Sequence, residues 1–172
     1  MSPTPLWRAT LAEFIGTAFL LAAIVGSGIM AERLSSDGGV QLLANTFATC
    51  AALVALILTF SSVSGAHFNP AVTLADFVLG GTDRTRVVAF IPAQFAGGLL
   101  GVVAANVMFE LDAVNVSQKA RAGAEFTLSE GVATLGLLLV IFGVSRAHTE
   151  VATAFAVGGY IAGAFFLSLI HI

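Results

Sequence analysis

The fold of this chain is decided by the nine residues Gly65–Thr73, which read GAHFNPAVT and lie between two long apolar runs. The nine residues are rich in turn formers, so they interrupt what would otherwise be continuous membrane-spanning helix. Irregular backbone inside a bilayer is tolerated only where it is buried in protein or lines a water-filled path. The stretch therefore predicts a re-entrant loop at the wall of a pore.

The composition of the chain is that of a polytopic membrane protein. Of its 172 residues, 58% are hydrophobic and 10% are charged, and the mean hydropathy is +0.97. A typical globular domain is about 25% charged, so a soluble fold of this length could not cover so much apolar surface. The net charge of -3 is scattered without a basic patch, which excludes nucleic acid as a partner. The single cysteine, Cys50, excludes an internal disulfide and is interpreted as a packing residue.

Four or five apolar runs are long enough to cross a bilayer, which takes about 20 residues. The first contains Glu13 and no small-residue cleavage site follows it, so it predicts a membrane helix and not a signal peptide. The segment Phe68–Leu79 is too short to cross and predicts a re-entrant half-helix. Glycines at four-residue spacing, 97 with 101 and 159 with 163, predict close helix packing. The predicted spans are Leu6–Met30, Val40–Val63, Val87–Phe109, Phe126–Val144 and a fifth from near Val151 to the end.

An internal repeat organises these spans. The nine residues that begin at Glu13, EFIGTAFLL, share their Glu, Thr and Leu pair with the nine that begin at Glu130, EGVATLGLL. Each copy opens a membrane helix and the two starts are three spans apart, so the second copy is inverted in the membrane. The predicted fold class is an all-α polytopic membrane protein built on this inverted repeat. Residues 1–109 form a first repeat of three spans plus a half-helix, residues 110–125 a connecting loop, and residues 126–166 an incomplete second repeat of two spans.

The repeat also predicts a second kink that the chain does not reach. Glu130 follows Glu13 by 117 residues, so the counterpart of Asn69 is expected near residue 186. We therefore expect a missing half-helix and a missing last span, and interpret the chain as C-terminally truncated. The final six residues, Leu167–Ile172, can be encoded by a transposon end used as a sequencing adapter. We hypothesise that residues 167–172 are a non-native read-through, which sequencing of the source locus across this junction would test.

The kink has a chemistry suited to small neutral molecules. Pro70 fits the first turn of a helix and Asn69 fits its N-cap. The half-helix would point its N-terminus, with about half a positive charge, into the protein. The Asn69 amide offers two donors to a molecule with a lone pair, whereas a cation meets a positive helix end and loses its hydration shell. These features predict passive conduction and not catalysis.

The chain resembles the major intrinsic protein family of aquaporins and aquaglyceroporins. The resemblance lies in the stretch Ser64–Thr73, together with Glu13 and Gly16-Thr17 in the first helix and Gln94 and Gly98 in the third. The resemblance extends to about Phe166. It implies six tilted helices plus two half-helices, a homotetramer of the full-length parent, and Asn69 as the first of two asparagines at the pore centre. The pore-lining residues predicted in this way are Gly65, Ala66, His67, Phe68, Asn69, Pro70 and Ala71.

The resemblance also suggests a place for the selectivity filter. Counting back from Asn69 assigns the second-helix position of the filter to Thr49, where family members often have an aromatic residue. A threonine would widen the filter and favour solutes larger than water, such as glycerol or neutral metalloid acids.

The protein is expected to lie in a lipid bilayer, in a bacterial inner (plasma) membrane.

Three residues admit two interpretations each. Glu13 and Glu130 lie in apolar helices, where a carboxylate is costly. Each is either a proton or ion relay or a loop-supporting acceptor of hydrogen bonds, and the repeat and the family resemblance favour the second. His67 is either a pH gate or metal ligand, or a hydrogen-bonded structural residue. Since no cluster of metal ligands accompanies it, no metal and no cofactor are predicted.

The functional alternatives follow from these interpretations. The first is a passive channel for water or small uncharged solutes. The second is a proton-coupled transporter of inverted-repeat design that uses Glu13 or Glu130. The third is that the 172 residues are an inactive fragment of a channel. There is no nucleophile–base pair or phosphate loop, so the chain is not expected to be an enzyme.

Overall fold

The computed structural model describes residues 4–115 and 123–167. Within these ranges the secondary structure is helical throughout. Of the predicted segments, residues 116–122 of the connecting loop and 168–172 of the proposed non-native tail lie outside the described residues. The elements are α1 (Leu6–Leu34), α2 (Gly38–Ser64), α3 (Pro70–Val78), α4 (Arg84–Met108), α5 (Ala124–Ala147) and α6 (Glu150–Ala164).

Side-chain caps determine where several of these helices begin. The carboxylate of Asp37 accepts a hydrogen bond from the backbone N–H of Val40 (3.0 Å), and that of Asp83 accepts one from Arg86 (2.9 Å). These bonds satisfy N–H groups that a helix start leaves unpaired. The same contact with the Arg86 N–H lowers the pKa of the exposed Asp83 carboxyl. Because of these caps, α2 and α4 start two or three residues before the predicted apolar runs.

Four of the described helices, α1, α2, α4 and α5, are long and apolar enough to cross a membrane. Most of these helices are longer than the spans predicted from the sequence. Helix α1, for example, was expected to end at Met30 but continues through Glu32 and Arg33 to Leu34. Charged side chains at helix ends reach the membrane interface, so they do not stop a spanning helix as a hydropathy reading assumes. The predicted fifth span corresponds to α6, which has 15 residues and is shorter than the about 20 that a span needs. The all-helical, multi-pass fold class is confirmed.

The two predicted glycine pairs behave differently. A methyl group on Gly97 would lie 2.2 Å from the carbonyl oxygen of Phe14, and one on Gly101 would lie 2.2 Å from that of Ala18. The backbones of α1 and α4 therefore touch along this line, as small residues allow in membrane proteins. By contrast, a methyl group on Gly159 or Gly163 would meet no atom within 4 Å among the described residues.

Helix α2 connects the α1–α4 pair to the α5–α6 pair. Helix α2 packs against α1 on one side and α6 on another, and α5 packs mainly against α6. The half-helix α3 lies against α4. A buried apolar cluster contains Leu53 and Ile57 of α2 together with Val157 of α6. This cluster packs α2 against α6 beside the loop that precedes α3. The loop therefore lies between α1, α2, α4 and α6.

The close approach of α1 and α4 yields a test with an internal control. We expect Gly97→Ala and Gly101→Ala each to lower the free energy of unfolding by about 1–3 kcal/mol, because the added methyl overlaps a backbone carbonyl that is unable to move aside. The control is Gly98→Ala, since its added methyl would lie 3.7 Å from the nearest atom. Denaturant titration of the purified protein in detergent measures all three, and equal stability of all three variants would contradict this packing.

Candidate functional site

The site begins with a carboxylate buried inside the bundle. Glu13 of α1 is 0% exposed. Its Oε1 accepts hydrogen bonds from the Ser64 hydroxyl (2.6 Å) and the His67 backbone N–H (3.0 Å). Its Oε2 accepts from the Phe68 backbone N–H (2.7 Å) and from the Gln94 amide (2.8 Å). Four donors compensate the loss of water around the charge, which supports the predicted loop-supporting role of Glu13.

The loop that Glu13 holds has an unusual backbone. Gly65, Ala66 and Phe68 all have positive φ angles, of 94°, 53° and 49°. The left-handed region costs a residue other than glycine about 1 kcal/mol, so this conformation needs external support. The Phe68 ring supplies some of it, because it packs directly over Gly16 where a methyl group would lie 2.0 Å from the ring. Helix α1 thus contacts both the backbone and a side chain of the loop.

The same conformation leaves four consecutive carbonyl groups without a partner among the described residues. Among the hydrogen bonds of residues 4–115 and 123–167, none has a carbonyl oxygen of residues 65–68 as acceptor. Asn69 caps α3, with its Oδ1 accepting from the Ala71 N–H (2.8 Å), and its Nδ2 group has no partner in this part of the chain. Unpaired backbone groups of this kind are satisfied by water or by a ligand.

A cavity of about 430 Å³ lies beside these groups. Its wall includes five of the seven residues predicted to line a pore, Gly65 to Asn69; Pro70 and Ala71, which open α3, are not part of it. Helices α2, α5 and α6 contribute mainly apolar side chains, and the loop with α3 contributes three polar ones, His67, Asn69 and Asp76. The apolar lining consists of Leu20, Leu53, Ile57, Ala66, Phe68, Val72, Leu137, Ile141, Phe142, Val157 and Ile161.

His67 is held by side chains on α3 and α4. Its Nδ1 lies 3.1 Å from the Thr73 hydroxyl, which also accepts a hydrogen bond from the Gln94 amide (3.0 Å). Its ring meets Phe90 edge to face, with 5.8 Å between ring centres. On the cavity side, its Nε2 lies 3.6 Å from Oδ2 of Asp76. These contacts favour the hydrogen-bonded interpretation of His67.

In the described ranges, no group of three or more His, Cys, Asp or Glu residues is placed to hold a metal ion.

The other two predicted site residues lie away from the cavity wall. Thr49 of α2 is buried and donates a hydrogen bond to Oδ1 of Asn45 (3.1 Å). Glu130 lies near the start of α5. Their assignments to the selectivity filter and to loop support stay predictions.

Two acidic residues of the wall were missed by the sequence reasoning. Asp76 follows Val72 and Thr73 by four and three residues, a spacing that places all three on one face of α3 and could have revealed it. Glu150 opens α6, and its carboxylate accepts a hydrogen bond from the Ser61 hydroxyl of α2 (2.9 Å). No local signal links Glu150 to Ser61, because 89 residues separate them.

The role of Glu13 can be tested against a second glutamate of the same helix. We expect Glu13→Gln to lower the free energy of unfolding by about 3 kcal/mol, because an amide NH₂ would replace one of two oxygens that face only donors. Glu32→Gln is the control, since Glu32 is exposed near the end of α1. Thermal unfolding in detergent, followed by circular dichroism, compares the two variants. A Glu13→Gln protein as stable as Glu32→Gln would exclude the loop-supporting role.

Comparison with known proteins adds to this geometry. The profile of the family described as "Major intrinsic protein" matches residues 1–172. Aquaglyceroporin AqpS of Rhizobium meliloti (strain 1021) is 44% identical over 168 residues, which cover 98% of this chain and 72% of AqpS. A probable TIP-type aquaporin of Medicago truncatula is 33% identical, and aquaporin NIP1-4 of Oryza sativa subsp. japonica is 34% identical. These two matches cover 78% and 88% of this chain, but the chain spans only 56% of either plant protein.

Proposed function

The chain belongs to the major intrinsic protein family, and we propose that it forms a passive channel for water and small uncharged solutes such as glycerol. The observation that carries the proposal is a cavity whose wall includes residues 65–69, since within the described residues the carbonyls of residues 65–68 and the Asn69 Nδ2 group have no hydrogen-bond partner. Members of this family are channels and not enzymes.

The cavity wall suits a neutral solute better than an ion. Carbonyl oxygens accept hydrogen bonds and the Asn69 Nδ2 group donates them, so a hydroxyl group finds both kinds of partner. The apolar side chains of α2, α5 and α6 face the carbon atoms of a solute such as glycerol without a desolvation cost. An ion gains less compensation, because the two carboxylates of the wall, Asp76 and Glu150, already have partners in His67 and Ser61 and most of the other lining is hydrocarbon.

The setting of the channel follows from the same observations. The protein is a multi-pass integral membrane protein, since four helices are long and apolar enough to span a bilayer. We place it in a bacterial plasma membrane, which the similarity to a Rhizobium meliloti protein supports. We further propose a homotetramer for the full-length protein, as the family resemblance implies. Light scattering coupled to size-exclusion chromatography would measure that assembly directly.

Passive conduction is tested by stopped-flow light scattering on proteoliposomes that carry the protein expressed from its complete gene. Sucrose should cause fast shrinkage, and glycerol should cause shrinkage followed by rapid re-swelling. Fast shrinkage without re-swelling in glycerol would restrict the channel to water and contradict the wide filter expected from Thr49. Permeability equal to that of empty liposomes would contradict the channel itself.

The coupled-transporter alternative is tested with the same vesicles. The Glu13 carboxylate is fully buried and already accepts four hydrogen bonds, which disfavours a proton relay at this residue. We therefore expect glycerol flux to be unchanged by an imposed proton or sodium gradient. Flux that follows either gradient would support the transporter instead.

The path of the solute can be tested with two leucines of α5. Leu137 lines the cavity, whereas Leu139 is 66% exposed on the outer face of the helix. We expect Leu137→Trp to reduce glycerol permeability by about tenfold, because the larger ring fills the cavity that the solute must cross. Leu139→Trp adds the same ring on the outside and should conduct like the wild type. Equal permeability of the two variants would place the path elsewhere.

A further inference from the structure

Asp76 occupies a position in α3 that is unfavourable for a carboxylate. It lies in the last turn of the half-helix, where the helix dipole is negative and favours a cation. Its Oδ2 nevertheless lies 3.6 Å from Nε2 of His67, and both side chains line the cavity. An ion pair with a protonated His67 would compensate this electrostatic cost.

Two glycines make room for the pair. A methyl group on Gly81 would lie 2.2 Å from Oδ1 of Asp76 and 2.9 Å from its Oδ2. A methyl group on Gly65 would lie 3.2 Å from Nε2 of His67. Each side chain therefore packs directly on a backbone that lacks a Cβ. The Gly81 N–H also donates to the Asp76 carbonyl oxygen (2.8 Å), which fixes the end of α3 beneath the carboxylate.

The hydrogen bonds around His67 accommodate either charge state of its ring. The Gln94 amide donates to Thr73 in both states, so the single hydroxyl hydrogen of Thr73 has two acceptors within reach: Nδ1 of His67 (3.1 Å) and the Asn69 carbonyl (3.2 Å). When Nδ1 carries no proton, Thr73 donates to it and the Nε2–H points to Asp76. When Nδ1 gains a proton, it donates to Thr73, whose hydroxyl turns to Asn69. Protonation thus requires the rotation of one hydroxyl group.

Few other charges face the ring. The Glu13 carboxylate binds the backbone N–H of His67, and α4 presents the neutral side chains Phe90 and Gln94. His148 and Glu150, from the junction of α5 and α6, line the same cavity, with Glu150 engaged by a serine hydroxyl of α2. Asp76 is therefore the carboxylate placed to pair with the imidazole.

We propose that Asp76 is a positioning residue for His67: it holds the imidazolium against the cavity wall, so that conduction does not change when His67 becomes protonated. The proposal rests on the channel function proposed above. Gly65, Phe90 and Thr73 enclose the ring on its other sides, so the cavity is the direction in which it can reach water. Without the carboxylate, a protonated ring turns into the cavity to be hydrated and narrows the path.

The test compares glycerol permeability of proteoliposomes, which carry the protein from its complete gene, at about pH 7.5 and about pH 5.5, since histidine changes charge between them. The ratio of the two values in one vesicle preparation does not depend on the amount of folded protein. We expect a ratio near one for the wild type, and a loss of about threefold or more at the lower pH for Asp76→Asn. Asp76→Ser removes the same carboxylate with a different side chain and should show the same loss of permeability at the lower pH.

Two further variants identify the titrating group. His67→Asn combined with Asp76→Asn should restore a pH-independent permeability, because the ring that moves is gone. Glu150→Gln removes a different carboxylate from the same cavity and should leave the pH ratio near one. Acid sensitivity that persists in the double variant, or that arises in Glu150→Gln, would assign the titration to another group and overturn the proposal.

The remaining outcomes separate this proposal from the channel function. Wild-type protein that conducts with a constant ratio, together with constant ratios for Asp76→Asn and Asp76→Ser, would refute the positioning role and leave the channel intact. Acid-sensitive conduction by the wild type would refute the positioning role as well. Absence of conduction by the wild type at both pH values would refute the channel function on which the proposal rests.

Discussion

The buried carboxylate of Glu13 is the interaction on which the other features of this structure depend. A loop inside a membrane protein has backbone N–H groups that neither water nor lipid can satisfy. Glu13 satisfies those of the consecutive residues His67 and Phe68, and its Oε1 also accepts a hydrogen bond from Ser64 at the end of α2. The negative charge is therefore stabilised by the loop, and the loop conformation is stabilised by the charge. Either alone would be costly in this environment.

The packing of α1 on α4 is coupled to this interaction. Gln94 lies one helical turn before Gly97 on α4, and Glu13 directly precedes Phe14, whose carbonyl Gly97 contacts. The close approach of the two backbones thus brings the Gln94 amide within 2.8 Å of the carboxylate. A larger residue in place of Gly97 would separate the helices and lengthen this hydrogen bond. The helix interface and the loop are one cooperative unit, and changes in one are transmitted to the other.

The sequence alone predicted most of the fold because the strongest signals in it are local. Long apolar runs specify the spanning helices, and Asn69 followed by Pro70 specifies the start of α3. The exact helix ends were less accessible, because caps such as Asp37 add residues that hydropathy does not count. For the site, the sequence identified the loop at residues 65–69, but it did not identify Asp76 or Glu150 of the cavity wall. Contacts that join distant segments, such as Ser61 with Glu150, leave no local pattern and required the structure.

The division between satisfied and unsatisfied polar groups accounts for how such a site can distinguish solutes. The ionisable group at its centre, Glu13, accepts four hydrogen bonds and is shielded from the cavity. The carboxylates that line the cavity, Asp76 and Glu150, have partners in His67 and Ser61, whereas the carbonyls of residues 65–68 and the Asn69 Nδ2 group have none among the described residues. A neutral solute can exchange its hydrogen bonds with water for bonds to these dipoles at little net cost. An ion finds both carboxylates of the wall already engaged, so its desolvation is less well compensated. Selectivity of this kind would follow from which groups the fold has already paired.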